Sequence, residues 1–286
     1  MALSVLSACA EGTPHRSVPR QDLLNKGDHY VAMGDSYTSA PANGPETGQP
    51  GCFQTAGNYP HQVAKRLGLR LTDVSCGGAM TTHVTNPQRL GPATHPPQAD
   101  ALSSGTDLVT ISLGANDFGL FGAVVFGCVR MRAQDPAGAP CAAASVAKGV
   151  KSLERRFAEI ERRLITIIQL VNERSPNARI VVVGYPQFFP KAGPCAQLQL
   201  AAGDFRFAYI LSTQLVKAQR DAATRSNVDY VDVFTATSGH DMCADDPWIA
   251  GQKPGRDQAM FYHPYPEEQR AVADLLVDRL GLPRQG

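Results

Sequence analysis

Serine, glycine, asparagine and histidine occur along this chain where acyl chemistry could use them. Gly34-Asp35-Ser36-Tyr37 follows the apolar run His29 to Gly34. A serine placed directly after a strand and at the start of a helix projects its hydroxyl at the sheet edge. Its own N–H is one of the unpaired N-terminal donors. Ser36 is therefore a candidate nucleophile with an oxyanion donor built in, or more simply a helix cap. Such a nucleophile needs a base whose pKa lies near working pH, which points to histidine. Among His15, His29, His61, His83, His95, His240 and His263, His263 stands just before a proline-started helix at the end of the chain. Donors must also face the developing oxyanion. Gly78, in Cys76-Gly77-Gly78-Ala79, lets a backbone N–H approach a substrate. Asn116, in Gly114-Ala115-Asn116-Asp117, can aim a side-chain amide. Singly, these also read as a turn glycine and a helix cap.

The elements that must position these residues follow from periodicity. Strands are expected over His29 to Gly34, Leu69 to Ser75, Asp107 to Leu113, Ala178 to Gly184 and Val228 to Phe234, each apolar or rich in β-branched residues. Helices are expected over Asn58 to Leu67, Ser145 to Glu173, Ala201 to Arg225 and Pro266 to Leu280. In the long second helix Val146, Val150, Leu153, Phe157, Ile160, Leu164, Ile167 and Val171 are spaced alternately four and three apart, which is one helix face. Glu267 and Glu268 fall in the first turn of the last helix, where the dipole favours anions. Five strands alternating with helices imply one doubly wound α/β domain. Its site loops lie at the carboxyl ends of the strands. The segments holding Ser36, Gly78 and Asn116 all follow strands, and His263 can join them at the same end.

Composition narrows the class. The 286 residues carry 27 Lys and Arg against 26 Asp and Glu, a net charge of +1 with no block of like charge, so a nucleic-acid surface is not expected. Hydrophobic residues make up 43%, which excludes a disordered chain, and no run is long enough to span a membrane. Met1 to Ala8 followed by Cys9 has the look of the stump of an export signal with a lipidation site at Cys9. Glu11 to Lys26, with Pro14 and Pro19, reads as a tether. The division is therefore residues 1–28 as signal remnant and tether, and 29–286 as the folded domain. Setting Cys9 aside leaves Cys52, Cys76, Cys128, Cys141, Cys195 and Cys243. No CxxC pair occurs, so a zinc ribbon is not indicated. Six cysteines fit disulfides in an oxidising compartment. Sequential pairing is the simplest, but the sequence alone does not choose among the connectivities.

The blocks Gly34-Asp35-Ser36, Gly78, Gly114-x-Asn116-Asp117 and His263, in the order Ser, Gly, Asn, His, resemble those of the SGNH hydrolases, also called GDSL lipases and esterases. The resemblance covers nearly all of the chain from residue 29. It is similar in particular to secreted actinobacterial lipases and esterases, which share the stretch His240-Asp241-x-Cys243 with Trp248. The resemblance implies a flavodoxin-like three-layer α/β/α sandwich with a five-stranded parallel sheet, and three sequential disulfides. It implies Ser36 as nucleophile and His263 as general base and then acid. Ser36 N–H, Gly78 N–H and Asn116 would form the oxyanion hole. One position departs from the pattern. Many members carry Asp three residues before the histidine, where this chain has Met260. Some secreted relatives use a backbone carbonyl there, so the Met260 carbonyl is expected to accept the Nδ1 proton, with Asp257 as the alternative partner.

The expected reaction is two-step acyl transfer through an acyl-enzyme on Ser36, without metal or other cofactor. Activity should rise as His263 loses its proton, toward neutral or alkaline pH. Phe118, Leu120, Phe121, Val124, Val125 and Phe126 either line an acyl pocket or form a core helix. The expected substrate is a small-molecule or lipid ester. The expected location is secreted or extracytoplasmic, with peripheral membrane attachment if Cys9 is lipidated. An acyltransferase passing the acyl group to a sugar or lipid hydroxyl is the alternative, and a non-catalytic binding module is a third reading.

Overall fold

The computed structural model describes residues 24–147 and 150–281; Cys9 and the expected export signal lie outside them. Five strands form the central sheet: β1 (His29–Gly34), β2 (Arg70–Asp73), β3 (Leu108–Ser112), β4 (Arg179–Val183) and β5 (Asp229–Val231). All neighbours are parallel, in the order β2-β1-β3-β4-β5. This is the flavodoxin-like order, whose switch point lies between β1 and β3. The principal helices are α1 (Ser36–Ser39), α2 (Tyr59–Leu67), α3 (Pro140–Ala147), α4 (Val150–Arg174), α5 (Asp204–Arg225), α6 (Val233–Ala236) and α7 (Pro266–Leu280).

The sheet is apolar on both faces, so two cores form. Val31, Met33, Val109, Ile111 and Val182 face Ile160 and Leu164 of α4 and Leu215 of α5. The alternate residues Tyr30, Ala32, Leu108, Val181 and Val183 face Val63 of α2 and Val272 and Leu276 of α7. The period of two along each strand thus sends neighbouring side chains into opposite layers, giving the expected α/β/α sandwich. Leu24 is buried in the second core, so the chain packs before the first strand begins.

Local chemistry sets several boundaries. Asn58 accepts from His61 N–H at 3.1 Å and caps α2, which has proline in its first turn and ends at Gly68 with φ +68°. The expected strand 228–234 is cut to Asp229–Val231, because the Asp232 carboxylate accepts from Thr235 N–H at 3.0 Å and starts α6. The expected helix 145–173 is helical throughout its described residues, in α3 up to Ala147 and in α4 from Val150, with residues 148 and 149 outside the description. Val146 belongs to α3 and is exposed, while Phe157, Ile160, Leu164, Ile167 and Val171 form the buried face of α4. Sequence reading also passed over a two-stranded antiparallel ribbon, Gln88–Leu90 with Ala93–His95; strands of three residues are too short for alternation to register.

The disulfides join Cys52 to Cys76, Cys128 to Cys141 and Cys195 to Cys243, the sequential set that the resemblance implied. Cys52–Cys76 ties the loop before α2 to the turn after β2, where Gly77 N–H also donates to the Cys52 carbonyl at 2.9 Å.

The turn from β1 into α1 has no room to spare. A Cβ on Gly34 would lie 2.0 Å from Thr38 Oγ1 and 2.5 Å from Thr38 Cβ. Gly34→Ala should therefore displace α1 and lower stability by about 1–3 kcal/mol, the usual range for overpacking. Urea unfolding of the two proteins checks this; an unchanged midpoint would mean that α1 yields freely.

Candidate active site

Ser36 is half-buried and is the first residue of α1. The residue before it organises the turn. Asp35 is fully buried, and one carboxylate oxygen accepts from Tyr37 N–H at 2.9 Å, capping α1. The other accepts from the Tyr185 hydroxyl at 2.6 Å and from Asn116 Nδ2 at 3.3 Å. Tyr185 follows β4, and its hydroxyl oxygen also accepts from Ala115 N–H at 3.1 Å. The Gln98 side chain clamps Gly34, accepting from its N–H at 3.0 Å and donating to its carbonyl at 2.8 Å. With α1 capped this way, Ser36 N–H finds no acceptor among the described residues.

Gly78 is exposed and takes φ +71°, a conformation that side chains disfavour. Its N–H likewise finds no acceptor among the described residues. The turn around it is held by the Cys52–Cys76 bond and by Gln88 Nε2, which donates to the Gly77 carbonyl at 2.8 Å. Asn116 Nδ2 donates to the Ala79 carbonyl at 3.1 Å, joining the second and third site loops. Asp117, fully buried, strengthens that joint. It accepts from Thr81 N–H at 2.9 Å, from the Thr81 hydroxyl, and from Arg163 Nη1 of α4 at 3.0 Å.

The His263 loop is fixed by its backbone. The ring Nδ1 lies 2.8 Å from the Phe261 carbonyl, so Nδ1 carries the proton and Nε2 presents a lone pair. This corrects the expectation for Met260, whose carbonyl instead accepts the backbone N–H of His263 at 3.1 Å. The reason lies in Tyr262, whose φ of +61° turns the chain so that the carbonyl two residues back, rather than three, meets the ring. Asp257 is exposed and is not the ring's partner. Tyr37 carries this loop to the serine: its hydroxyl donates to the Tyr262 carbonyl at 2.8 Å, and its ring stacks on His263 with centroids 5.9 Å apart. Asn43 Nδ2 donates to the Pro264 carbonyl at 2.8 Å, and Ala250 N–H to the His263 carbonyl at 2.9 Å. Trp248, in the stretch similar to actinobacterial enzymes, accepts Tyr265 N–H on its carbonyl at 2.8 Å.

The fold thus brings the loops of Ser36, Gly78, Asn116 and His263 to one edge of the sheet. Burial holds the His263 imidazole below its ordinary pKa, with the Phe261 carbonyl pulling weakly the other way, so the ring is neutral at neutral pH. Two acids behind the serine move upward. Desolvation raises Asp35 to about 7 against the opposing bonds from Tyr185 and Tyr37, and raises Glu268 to about 8 against its bond from Gln269. Gln269 in turn donates to the Tyr37 carbonyl at 2.9 Å and accepts from Tyr59 N–H at 2.8 Å, coupling α7 to α1. Sequence reading missed these supports, Tyr37, Tyr185, Gln98 and Gln269, because no spacing pattern marks them. Asp35, Tyr37 and Asp117 sat inside the quoted blocks but had no role assigned.

Beneath the site lies an apolar cavity of about 20 Å³ bounded by Ala115, Leu120, Phe121, Val124 and Phe188. The run from Phe118 is therefore neither one regular helix nor wholly a pocket wall. Phe118 has φ +54° and is exposed, residues 123–128 are π-helical, and Phe126 points outward. Among the described residues, the one cluster of potential metal ligands is Cys52, Cys76 and His95, and its two sulfurs are bonded to each other.

A sequence model of the GDSL-like Lipase/Acylhydrolase family matches residues 32–271. The chain is 34% identical to Lipase 2 of Streptomyces coelicolor, over 99% of this chain and 93% of that one. Among solved structures it is similar to phospholipase A1 from Streptomyces albidoflavus NA297, with TM-score 0.69 and 28% identity over 88% of this chain and 99% of that one. It is also similar to the extracellular lipase from Streptomyces rimosus, with TM-score 0.69 and 26% identity over the same shares.

The raised acids give a pH dependence of stability with a definite sign. Unfolded carboxyls release their protons near pH 4, whereas the folded protein keeps those of Asp35 and Glu268 to about 7 and about 8. Between these values the folded state binds more protons, so stability falls as pH rises. Urea midpoints measured at about pH 5 and about pH 8.5 should show this decline, and Glu268→Gln should reduce it. An equal decline in the variant would remove Glu268 from the account.

Proposed function

Since this chain belongs to the GDSL-like lipase/acylhydrolase family and is a carboxylic ester hydrolase, we propose that it works through an acyl-enzyme on Ser36, with His263 as general base and then acid. The observation that carries this is the His263 tautomer. Nδ1–H is committed to the Phe261 carbonyl, so Nε2 is the basic atom on the ring that stacks against Tyr37, next to Ser36. Nε2 takes the Ser36 proton as Oγ attacks the ester carbonyl. The oxyanion rests on the N–H groups of Ser36 and Gly78, both without protein acceptors among the described residues. Asn116 adds a third donor by exchanging its longer bond, the 3.3 Å contact to Asp35, for the oxyanion. His263 then protonates the leaving alcohol, and water releases the acid by the same route in reverse. The Phe261 carbonyl fixes the ring as a carboxylate would, but as a neutral acceptor it stabilises the imidazolium less.

The substrate is a lipid or short-chain acyl ester, with Phe121 at the acyl end; the apolar cavity and the lipase and phospholipase names of the relatives support this. The enzyme works outside the cytoplasm. Three disulfides suit an oxidising compartment.

Hydrolysis of chromogenic esters of increasing acyl length tests the mechanism. Ser36→Ala should lose at least roughly 10³-fold in rate. The acid limb of the wild-type profile should have its midpoint below 6.5, the ordinary histidine value, since burial lowers His263. Asp257→Ala should stay within about threefold of wild type; a loss on the order of 10³ would return the orienting role to that carboxylate. Phe121→Ala should open the 20 Å³ cavity and move the optimum to longer chains. An unchanged length profile would place the acyl group elsewhere.

A further inference from the structure

Of the four exposed phenylalanines, Phe118 lies against Arg163 of α4 and the other three gather elsewhere. Phe53, Phe126 and Phe261 are exposed by 39%, 48% and 45%, and all three stand around the mouth of the site. The Phe53 ring lies 3.0 Å from where a Cβ on Gly77 would sit, against the turn that holds Gly78. Phe126 and Phe261 each meet the Tyr262 ring edge-on, with centroids 5.9 Å apart, directly beside His263. Single exposed apolar side chains are ordinary, but several gathered around one opening mark an interaction surface.

Charges of both signs stand on the segments of this rim: Arg130 and Arg132 follow Phe126, while Glu46, Asp135 and Asp257 are exposed on the same stretches. Both arginines are exposed, and neither has an acidic partner among the described residues. Arg130 lies one helical turn beyond Phe126. A protein partner seated on this rim would block the opening, whereas a surface made of substrate would feed it. Phenyl rings flanked by guanidinium groups are suited to an interface with acyl chains below and phosphates above.

We propose that the rim of Phe53, Phe126 and Phe261, with Arg130 and Arg132, seats the enzyme on an anionic phospholipid surface. The site mouth then faces the lipid, and an acyl ester enters without crossing bulk water. The purpose of the contact rests on the ester-hydrolase reading; the contact itself does not, and it is independent of Cys9.

The test uses full-length Ser36→Ala protein, so that binding is measured without turnover. It is sedimented with vesicles of phosphatidylglycerol and phosphatidylcholine, and with vesicles of phosphatidylcholine alone. Binding should favour the anionic vesicles. Phe126→Ser should weaken it by roughly tenfold on both vesicle types, and Arg130→Gln with Arg132→Gln should abolish the preference for phosphatidylglycerol. In the Ser36 background the same variants should hydrolyse a water-soluble acetyl ester within about twofold of wild type, which also shows that they fold. No sedimentation with either vesicle, or sedimentation unchanged by Phe126→Ser, overturns the proposal. So does a dimer in sedimentation velocity that Phe126→Ser disperses, since the rim would then belong to a second copy. Failure of the hydrolase reading would show separately, as absence of Ser36-dependent turnover of the soluble ester.

Discussion

One buried carboxylate organises this active site. Asp35 sits at the end of the first strand with no exposure to solvent, where an isolated carboxylate is strongly disfavoured. It is tolerated because donors from three loops converge on it: the Tyr37 amide, the Tyr185 hydroxyl and the Asn116 amide. Each bond also serves the site. The first caps the helix that opens with Ser36, the second ties the serine turn to the fourth strand, and the third sets the orientation of Asn116. Burial raises the acid to about 7, so it ionises near neutral pH, where burial already keeps His263 neutral.

The histidine is held differently, by main chain rather than by charge. A carboxylate partner would stabilise imidazolium strongly; the Phe261 carbonyl instead fixes the ring and its tautomer. Precision then depends on the loop backbone, and the chain spends many contacts on it: Tyr37 hydroxyl to Tyr262, Asn43 to Pro264, Ala250 to His263 and Tyr265 to Trp248. Tyr37 takes part in both halves, its amide on Asp35 and its hydroxyl on the histidine loop. Ser36 and His263, the proposed nucleophile and base, are thereby referenced to one residue, a short route to the geometric tolerance that acyl transfer requires.

Gly78 and Asn116 are joined by a third device. Asp117 gathers Thr81 from one loop and Arg163 from α4, so the proposed oxyanion side is braced against the long helix while the disulfide braces it from the other side. Pairing makes this buried charge tolerable, and losing either partner would leave the other stranded. Among the described residues, the Ser36 and Gly78 amides find no protein acceptor, as a site organised before substrate arrives requires.

The sequence by itself determined the layered α/β architecture, the strand sequence and the residues with chemical potential, because these follow from local periodicity and from side-chain chemistry. Strand apolarity on both faces requires two helical layers, and a serine, a glycine, an asparagine and a histidine in loops after strands or before a final helix fall on one side of such a sheet. Only the tertiary structure decided which carbonyl orients His263, since that turned on a single left-handed residue, Tyr262, which no spacing rule detects. It also decided the supporting set of Tyr37, Gln98, Tyr185 and Gln269, whose partners lie 64 to 232 residues away. Val146 and Phe126 show the same limit from the other side. Both fit an apolar pattern, yet both face solvent, Val146 in α3 and Phe126 in a π-helical turn, because register within a layer is settled by what packs against it rather than by the residues themselves.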